Sequence, residues 1–224
     1  MNLQVMSSVA IKGAYLELVP TFEKRSGHKV QTEWVGMSDI ARRLQAGDGV
    51  DVVIGSTALI QDLVENGIAQ QRTALARSGI GAAVRRGARK PDLGSVEALK
   101  RALVEARSIV YSSGPSGVYL AGLFQRLGLA EQLKDSARQM PPGMLVAEVV
   151  ARGEAELCFQ QLPELRQVSG IDYIGPLPAE VQEVTEFSGG VHARTQSPEV
   201  AKAFLAFLSS PENKPLLRQK GFDA

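Results

Sequence analysis

The stretch "SIVYSSGPSGVYLAGLFQRLG", residues 108–128, settles the fold class. Its first four residues are rich in β-branched and aromatic side chains and read as a short strand. From Val118 to Leu127 the apolar residues recur at helical spacing, and Gly128 ends that helix. Between strand and helix lie Ser112, Ser113, Gly114, Pro115, Ser116 and Gly117. A buried strand that passes through a small polar loop into an amphipathic helix is half of a βαβ unit. Repeated along a chain, it predicts a parallel sheet with right-handed helical crossovers.

The same alternation runs outward in both directions. "LQVM" (3–6) reads as a strand and Val9 to Lys24 as a helix closed by Gly27. "HKVQTEWV" is a strand, followed by a helix from Ser38 to Ala46 with Ser38 as N-cap and Gly47 behind it. "VDVVIG" reads as a buried strand, and Ala58 to Asn66 as a helix ended by Gly67. A second unit opens near Gly79 with the strand "GIGAAV" and the helix Ser95 to Ala106. After the quoted stretch come a helix over "PPGMLVAEVVARG", the strands "AELCF" and "IDYIG", and the extended "VQEVTEFSGGVHA". Helices Pro198–Leu208, capped by Ser197, and Glu212–Lys220 finish the chain. The two halves repeat one order of elements: "LQVMSSVAIKGAY" matches "SIVYSSGPSGVYL", and "LQAGDGVDVVIGST" matches "VVARGEAELCFQQ".

With 224 residues the chain is long enough for two small lobes, each with a core. Its 25 basic and 24 acidic side chains leave a net charge of +1 without like-charge blocks, which speaks against a nucleic-acid partner. No apolar run reaches membrane-spanning length, so the chain is not expected to be membrane-embedded. Cys158, the single cysteine, excludes a disulfide framework and reads as a buried, inert thiol. No secretory signal precedes the first strand. The expected location is cytoplasmic as the sequence stands, or periplasmic where a leader has been removed.

Strand-to-helix joints are where an open α/β sheet binds ligands, outside the carboxyl ends of its strands. Helix N-termini there leave N–H groups unpaired, and hydroxyls add donors, so an anion can be held without Lys or Arg. Ser113 and Ser116 supply hydroxyls as does Ser112, Gly117 lets a ligand approach, and the Val118 N–H starts the helix. Ser7, Ser8 and the N–H of Val9 repeat the device, as do "GMSD" with Met37 and Ser38, and "IGSTA" with Ser56. A serine ahead of a helix is, taken alone, an N-cap worth about 0.5–2 kcal/mol that needs no ligand. The joints carry weight as a set. There is no Walker loop, dinucleotide fingerprint or metal cluster, and no cofactor is expected.

"VMSSVAIKGAYLELVPTFEKRSGHKV", "GDGVDVVIGSTALIQDLVENG", "SSGPSGVYLAGLFQRLG", "VVARGEAELCFQQ" and "SPEVAKAFLAFLSSPENKPLLRQKGF" together cover most of the chain. In them the sequence resembles type II periplasmic solute-binding proteins, specifically the molybdate-binding branch of ABC-transporter receptors. The resemblance implies a two-lobed α/β fold in which each lobe is a mainly parallel sheet flanked by helices. Lobe one would cover residues 1–80 and 188–224, and lobe two 81–187. Gly79–Val84 and Val184–Val191 would be the two hinge strands, with a ligand clamped between the lobes. It also implies oxyanion binding by serine hydroxyls and backbone N–H groups, carried by position to Ser7, Ser8, Ser38 and Ser116 to Val118. The family's tyrosine is absent: its region reads Phe159, Gln160, Gln161. Gln160 and Gln161 put amides there, and Met37 and Met144 add apolar surface. A small organic carboxylate, or an oxyanion other than molybdate, is therefore the expected ligand, with an ABC-transporter permease as partner if the protein is exported.

Relatives of this branch also resemble aconitate isomerases, which need a base near the working pH. His192, just past the second hinge, is the candidate to test, while His28 reads as a surface residue. Tyr119 and Lys12, in the first turns of helices behind serine loops, are candidates to contact a carboxylate. Glu148 and Glu154 read as exposed. A third alternative is a ligand sensor like the effector domains of LysR-type regulators, here without a DNA-binding domain.

Overall fold

A computed structural model describes residues 2–223. In chain order it contains β1 (Asn2–Ser8), α1 (Lys12–Ser26), β2 (Lys29–Val35), α2 (Met37–Gln45), β3 (Val52–Ser56) and α3 (Thr57–Glu65). Then come β4 (Ala69–Arg85), α4 (Val96–Glu105), β5 (Ile109–Tyr111), α5 (Pro115–Arg126), α6 (Ala130–Leu133) and β6 (Ala137–Gln139). The rest is α7 (Val146–Ala151), β7 (Leu157–Gln161), α8 (Leu162–Leu165), β8 (Ile171–Pro176), β9 (Val184–His192), α9 (Pro198–Leu208) and α10 (Lys214–Gln219). The chain divides into two compact units. Unit 1 holds the residues up to Arg77 and those from Thr185 onward; unit 2 is Ser78–Val184.

In unit 1 the strands run in the order β2-β1-β3-β9. β1 is parallel to β2 and β3, and β9 is antiparallel to β3. Alternation along the strands builds three layers. Leu3, Val5, Val52 and Ile54 pack with α1 and α9, in a core that includes Tyr15, Phe22 and Phe204. Met6 and Val53, one residue out of phase, pack with Ile40 and Leu44 of α2 and Ile60 and Leu63 of α3. Rings of Tyr15 and Phe22 meet Phe204 edge-on at 5.8 and 4.9 Å, locking α1 to α9.

Unit 2 orders its strands β4-β7-β5-β6, with β8 also paired to β4. β5 is parallel to β6 and β7, and β4 is antiparallel to β7. Ile109, Leu157 and Phe159 face α4 and α5, whereas Val110 and Cys158 face α7 and α8. Gln160, in phase with Cys158, is thereby aimed at the α7–α8 layer.

Four local expectations change. α5 starts at Pro115, not Val118, because proline's fixed φ and missing N–H suit the first helical position. α2 is capped by extended Gly36 with no side-chain bond, so Ser38 is its second residue and not its cap. The helix read over residues 141–153 shrinks to Val146–Ala151, since two prolines and left-handed Gly143 (φ 80°) hold its lead-in open. β4 extends 17 residues, beginning at buried Ala69 and passing through the polar, exposed Gln70, Gln71 and Arg72, which no apolar period marks.

Candidate functional site

The register places the serine joints of unit 1 on one sheet edge. Ser7 lies opposite Trp34 of β2 and Ile54 of β3, and Ser8 lies opposite Val35. The carboxyl ends of β1, β2 and β3 therefore bring Ser7, Ser8, Met37 and Ser56 to the same side. Ser7 is fully buried and its hydroxyl donates to the Ser8 carbonyl at 3.2 Å. Ser8 Oγ accepts from the Ala10 N–H at 3.3 Å, capping the 3-10 turn Val9–Ile11. Ser56 Oγ accepts from the Leu59 N–H at 3.3 Å and caps α3. Met37 is half-buried against the α1 side of the core, and Ser38 is exposed. Sequence reasoning missed the last part of this edge. Ser188 of β9 lies opposite Gly55, is fully buried, and shares a 2.7 Å hydrogen bond with Thr57 Oγ1. The Arg72 guanidinium donates to the same Ser188 oxygen at 3.5 Å. The small polar residue inside "FSGGV" was the available signal.

Unit 2 gathers its own hydroxyl edge at the carboxyl ends of β5 and β7. Ser112 and Ser116 are buried and their hydroxyls are 2.9 Å apart. Gln139 Nε2 donates to the Ser112 carbonyl at 3.3 Å. Ser113 is half-buried between them in sequence. Gly117 has a different purpose from the one expected. A Cβ there would lie 1.5 Å from the Ser112 carbonyl oxygen, so the missing side chain admits backbone rather than ligand. The Val118 N–H donates to the Gly114 carbonyl at 3.0 Å, and the Val118 side chain is exposed. It is a helical residue with its donor spent, not the open start of α5.

The two glutamines are buried. Gln160 Oε1 accepts from the Val146 N–H at 2.9 Å and its Nε2 donates to the Met144 carbonyl at 3.2 Å. Its amide serves the entrance to α7. Gln161 leads into α8, where the unforeseen Glu164 sits. The Glu164 carboxyl accepts from the Gln160 side chain and from the Gln161 backbone N–H. Burial nevertheless outweighs both bonds and carries its pKa up to about 7. The signal was "QLPE": proline in a first turn and glutamate at its third position, which reaches back to the N-cap N–H. An ordinary cap would be solvated; this one is 6% exposed.

Neither histidine reaches these edges. β9 runs against β3, so His192 N–H bonds the Asp51 carbonyl at 2.9 Å, at the amino end of β3. Five residues of strand, about 17 Å, separate that level from Ser56. His192 is buried, accepts from the Arg194 N–H at 3.3 Å through Nδ1, and has its pKa lowered first by desolvation. It holds a turn. His28 precedes β2 at the same far edge. It is half-buried, not a surface residue. Tyr119 is tied by its hydroxyl to the Val181 carbonyl at 3.0 Å, with Arg126 over its ring at 4.8 Å. The Lys12 ammonium lies 5.6 Å from the Trp34 ring centre. Glu148 and Glu154 are exposed, and Glu154 pairs with Arg152. Among the described residues no three His, Cys, Asp or Glu side chains group as metal ligands, and no helix is long and apolar enough to cross a membrane.

Two such α/β units are the architecture of a known class. The periplasmic molybdate-binding protein of Azotobacter vinelandii superposes with a TM-score of 0.82 at 19% identity, covering 99% of each chain. The sulfate-binding protein SubI from Mycobacterium tuberculosis gives 0.78 at 17% identity, over 99% of this chain and 86% of that one. The fold is that of type II periplasmic solute-binding proteins. The profile of the bacterial extracellular solute-binding proteins matches residues 3–223, and the chain belongs to that family. An aconitate isomerase from a Pseudomonas species is 39% identical over 228 residues, spanning 98% of this chain and 87% of that protein.

Proposed function

We propose that this protein binds a small organic polycarboxylate through hydroxyls and amides at the carboxyl ends of its strands, and shifts a proton along it. The substrate class is the one named by its isomerase relative: a tricarboxylic acid with one double bond. The observation that carries this reading is the 39% identity to an aconitate isomerase along 98% of the chain. The site chemistry supports it. Interconverting cis- and trans-aconitate by a proton shift means removing a proton beside the double bond and returning it at the other end of the three-carbon system. The charge that develops is delocalised onto carboxylates, where neutral donors can stabilise it. Serine hydroxyls line both edges, and Arg72 adds a cation beside Ser188 in unit 1. The position of His28 and His192 at the far edge of unit 1 leaves the proton transfer to another group.

The test is direct. Purified protein is mixed with trans-aconitate in deuterated buffer and followed by ultraviolet absorbance and proton NMR. The proposal expects protein-dependent formation of cis-aconitate with solvent deuterium in the product. Family membership favours a second reading, binding without turnover as a transport receptor. A thermal-shift panel separates the two: stabilisation by carboxylates with no conversion supports the receptor, and stabilisation by molybdate or tungstate alone overturns the carboxylate reading altogether.

A further inference from the structure

The segment ahead of α7 lies against the hydroxyl loop of unit 2. Met140 N–H donates to the Tyr111 carbonyl at 2.8 Å, and Gln139 reaches the Ser112 carbonyl. β7 registers Phe159 with Tyr111, so the next residue, Gln160, emerges level with Ser112. One amide then spans the segment, accepting from Val146 and donating to Met144. A primary amide has two N–H donors. The second is directed to Glu164, whose carboxyl also takes the Gln161 N–H.

We propose that Glu164 is a positioning residue: through Gln160 it fixes the Met144–Val146 backbone beside the Ser112–Ser116 loop, and the gain of a proton by Glu164 loosens that segment and weakens ligand binding. As a carboxylate, Glu164 only accepts, so Gln160 must present N–H to it and oxygen to Val146. As an acid it becomes a donor and no longer dictates the orientation of the amide. The elements against α8 carry Glu148 (α7), Cys158 (β7), Arg85 (β4) and Tyr173 (β8), and Arg166 follows it in sequence. None contributes to the upward displacement, which comes from burial against the two hydrogen bonds. The titration therefore falls where Glu164 itself changes, near neutral pH.

The functional half of this proposal rests on the polycarboxylate reading; the structural half does not. Amide hydrogen exchange at Val146 is measured without ligand at pH 5.5 and 8.5, corrected for intrinsic rates, in the wild type, Glu164→Gln and Gln160→Met. The wild type is expected to lose at least about fivefold of its Val146 protection at the lower pH. Glu164→Gln should show no such change, and Gln160→Met should have low protection at both. Equal pH dependence in the wild type and Glu164→Gln, or full protection in Gln160→Met, would overturn the positioning role. Binding of trans-aconitate is measured in parallel. The ratio of dissociation constants between the two pH values should differ at least about fivefold between the wild type and Glu164→Gln. Identical ratios would overturn the link to binding. Absence of binding in the wild type at both pH values would overturn the polycarboxylate reading, leaving the exchange data to decide the positioning role alone.

Discussion

Replacing Glu164 by Gln should make the protein more stable at alkaline pH. The native Glu164 carboxyl is displaced from 4.5 to about 7, chiefly by burial. An acid with a raised native pKa keeps its proton in the folded state where the unfolded chain has already released it. Stability is then highest below the unfolded value and falls as pH rises through the native one. At about 1.36 kcal/mol per pH unit, the interval amounts to about 3 kcal/mol, all of it lost by pH 8. Glutamine matches the shape and neutrality of the protonated acid and does not titrate. Equilibrium urea unfolding at pH 4.5, 6, 7 and 8.5 should show Glu164→Gln within about 1 kcal/mol of the wild type at the acid end. It should be about 3 kcal/mol more stable at the alkaline end. Taking the difference between the two proteins cancels the other carboxylates, among them Glu23 and Glu33. Both are ion-pair partners, Glu23 half-buried and Glu33 exposed, whose pKa values move down, Glu23 through the Val30 N–H first and Glu33 through Arg43. A difference constant to within about 0.5 kcal/mol across the range would refute the claim that this carboxyl is buried without a compensating charge.

Other outcomes follow from the same geometry. Gly117→Ala drives a methyl onto the Ser112 carbonyl, so backbone must move; a loss of at least about 3 kcal/mol in urea unfolding is expected, and a loss below about 1 kcal/mol would contradict the packing. If Ser116 holds the ligand as proposed, Ser116→Ala removes a hydrogen bond to a charged group and should weaken trans-aconitate binding by roughly ten- to a hundredfold in calorimetry, with little change in fold. His192→Asn should leave trans-aconitate turnover within about twofold, because the imidazole lies at the opposite end of the strand; loss of turnover in a folded variant would restore it as a base. The Cys158 thiol is fully buried and pushed up to about 12, so an aromatic disulfide reagent should label it only on unfolding.

Much of the fold was legible because strand and helix periods are written in apolar residues. Leu3, Val5, Val52 and Ile54 alternate cleanly, and Gly27 and Gly67 take the left-handed conformation at helix ends. What failed to show lacked such a period. β6, α6 and α8 span three or four residues each, too few for any repeat. The serines announced the two edges but not their own partners. Ser38 follows a glycine cap, and Ser112 and Ser116 bond each other across a turn set by Pro115 and Gly117. His192 was misplaced because its edge depends on β9 running antiparallel, a fact of topology carried by no local pattern. Glu164 was hidden because nothing in "QLPE" says whether a capping carboxylate is wet or dry.

The central proposal is an organic acid held by hydroxyl and amide donors while a proton shifts along it. The most direct measurement is the proton NMR spectrum of trans-aconitate incubated in deuterated buffer with the wild type and with Ser116→Ala. The expected result is cis-aconitate carrying solvent deuterium with the wild type, and much slower conversion with the variant. Unchanged trans-aconitate that also fails to stabilise the protein against heat would contradict the account.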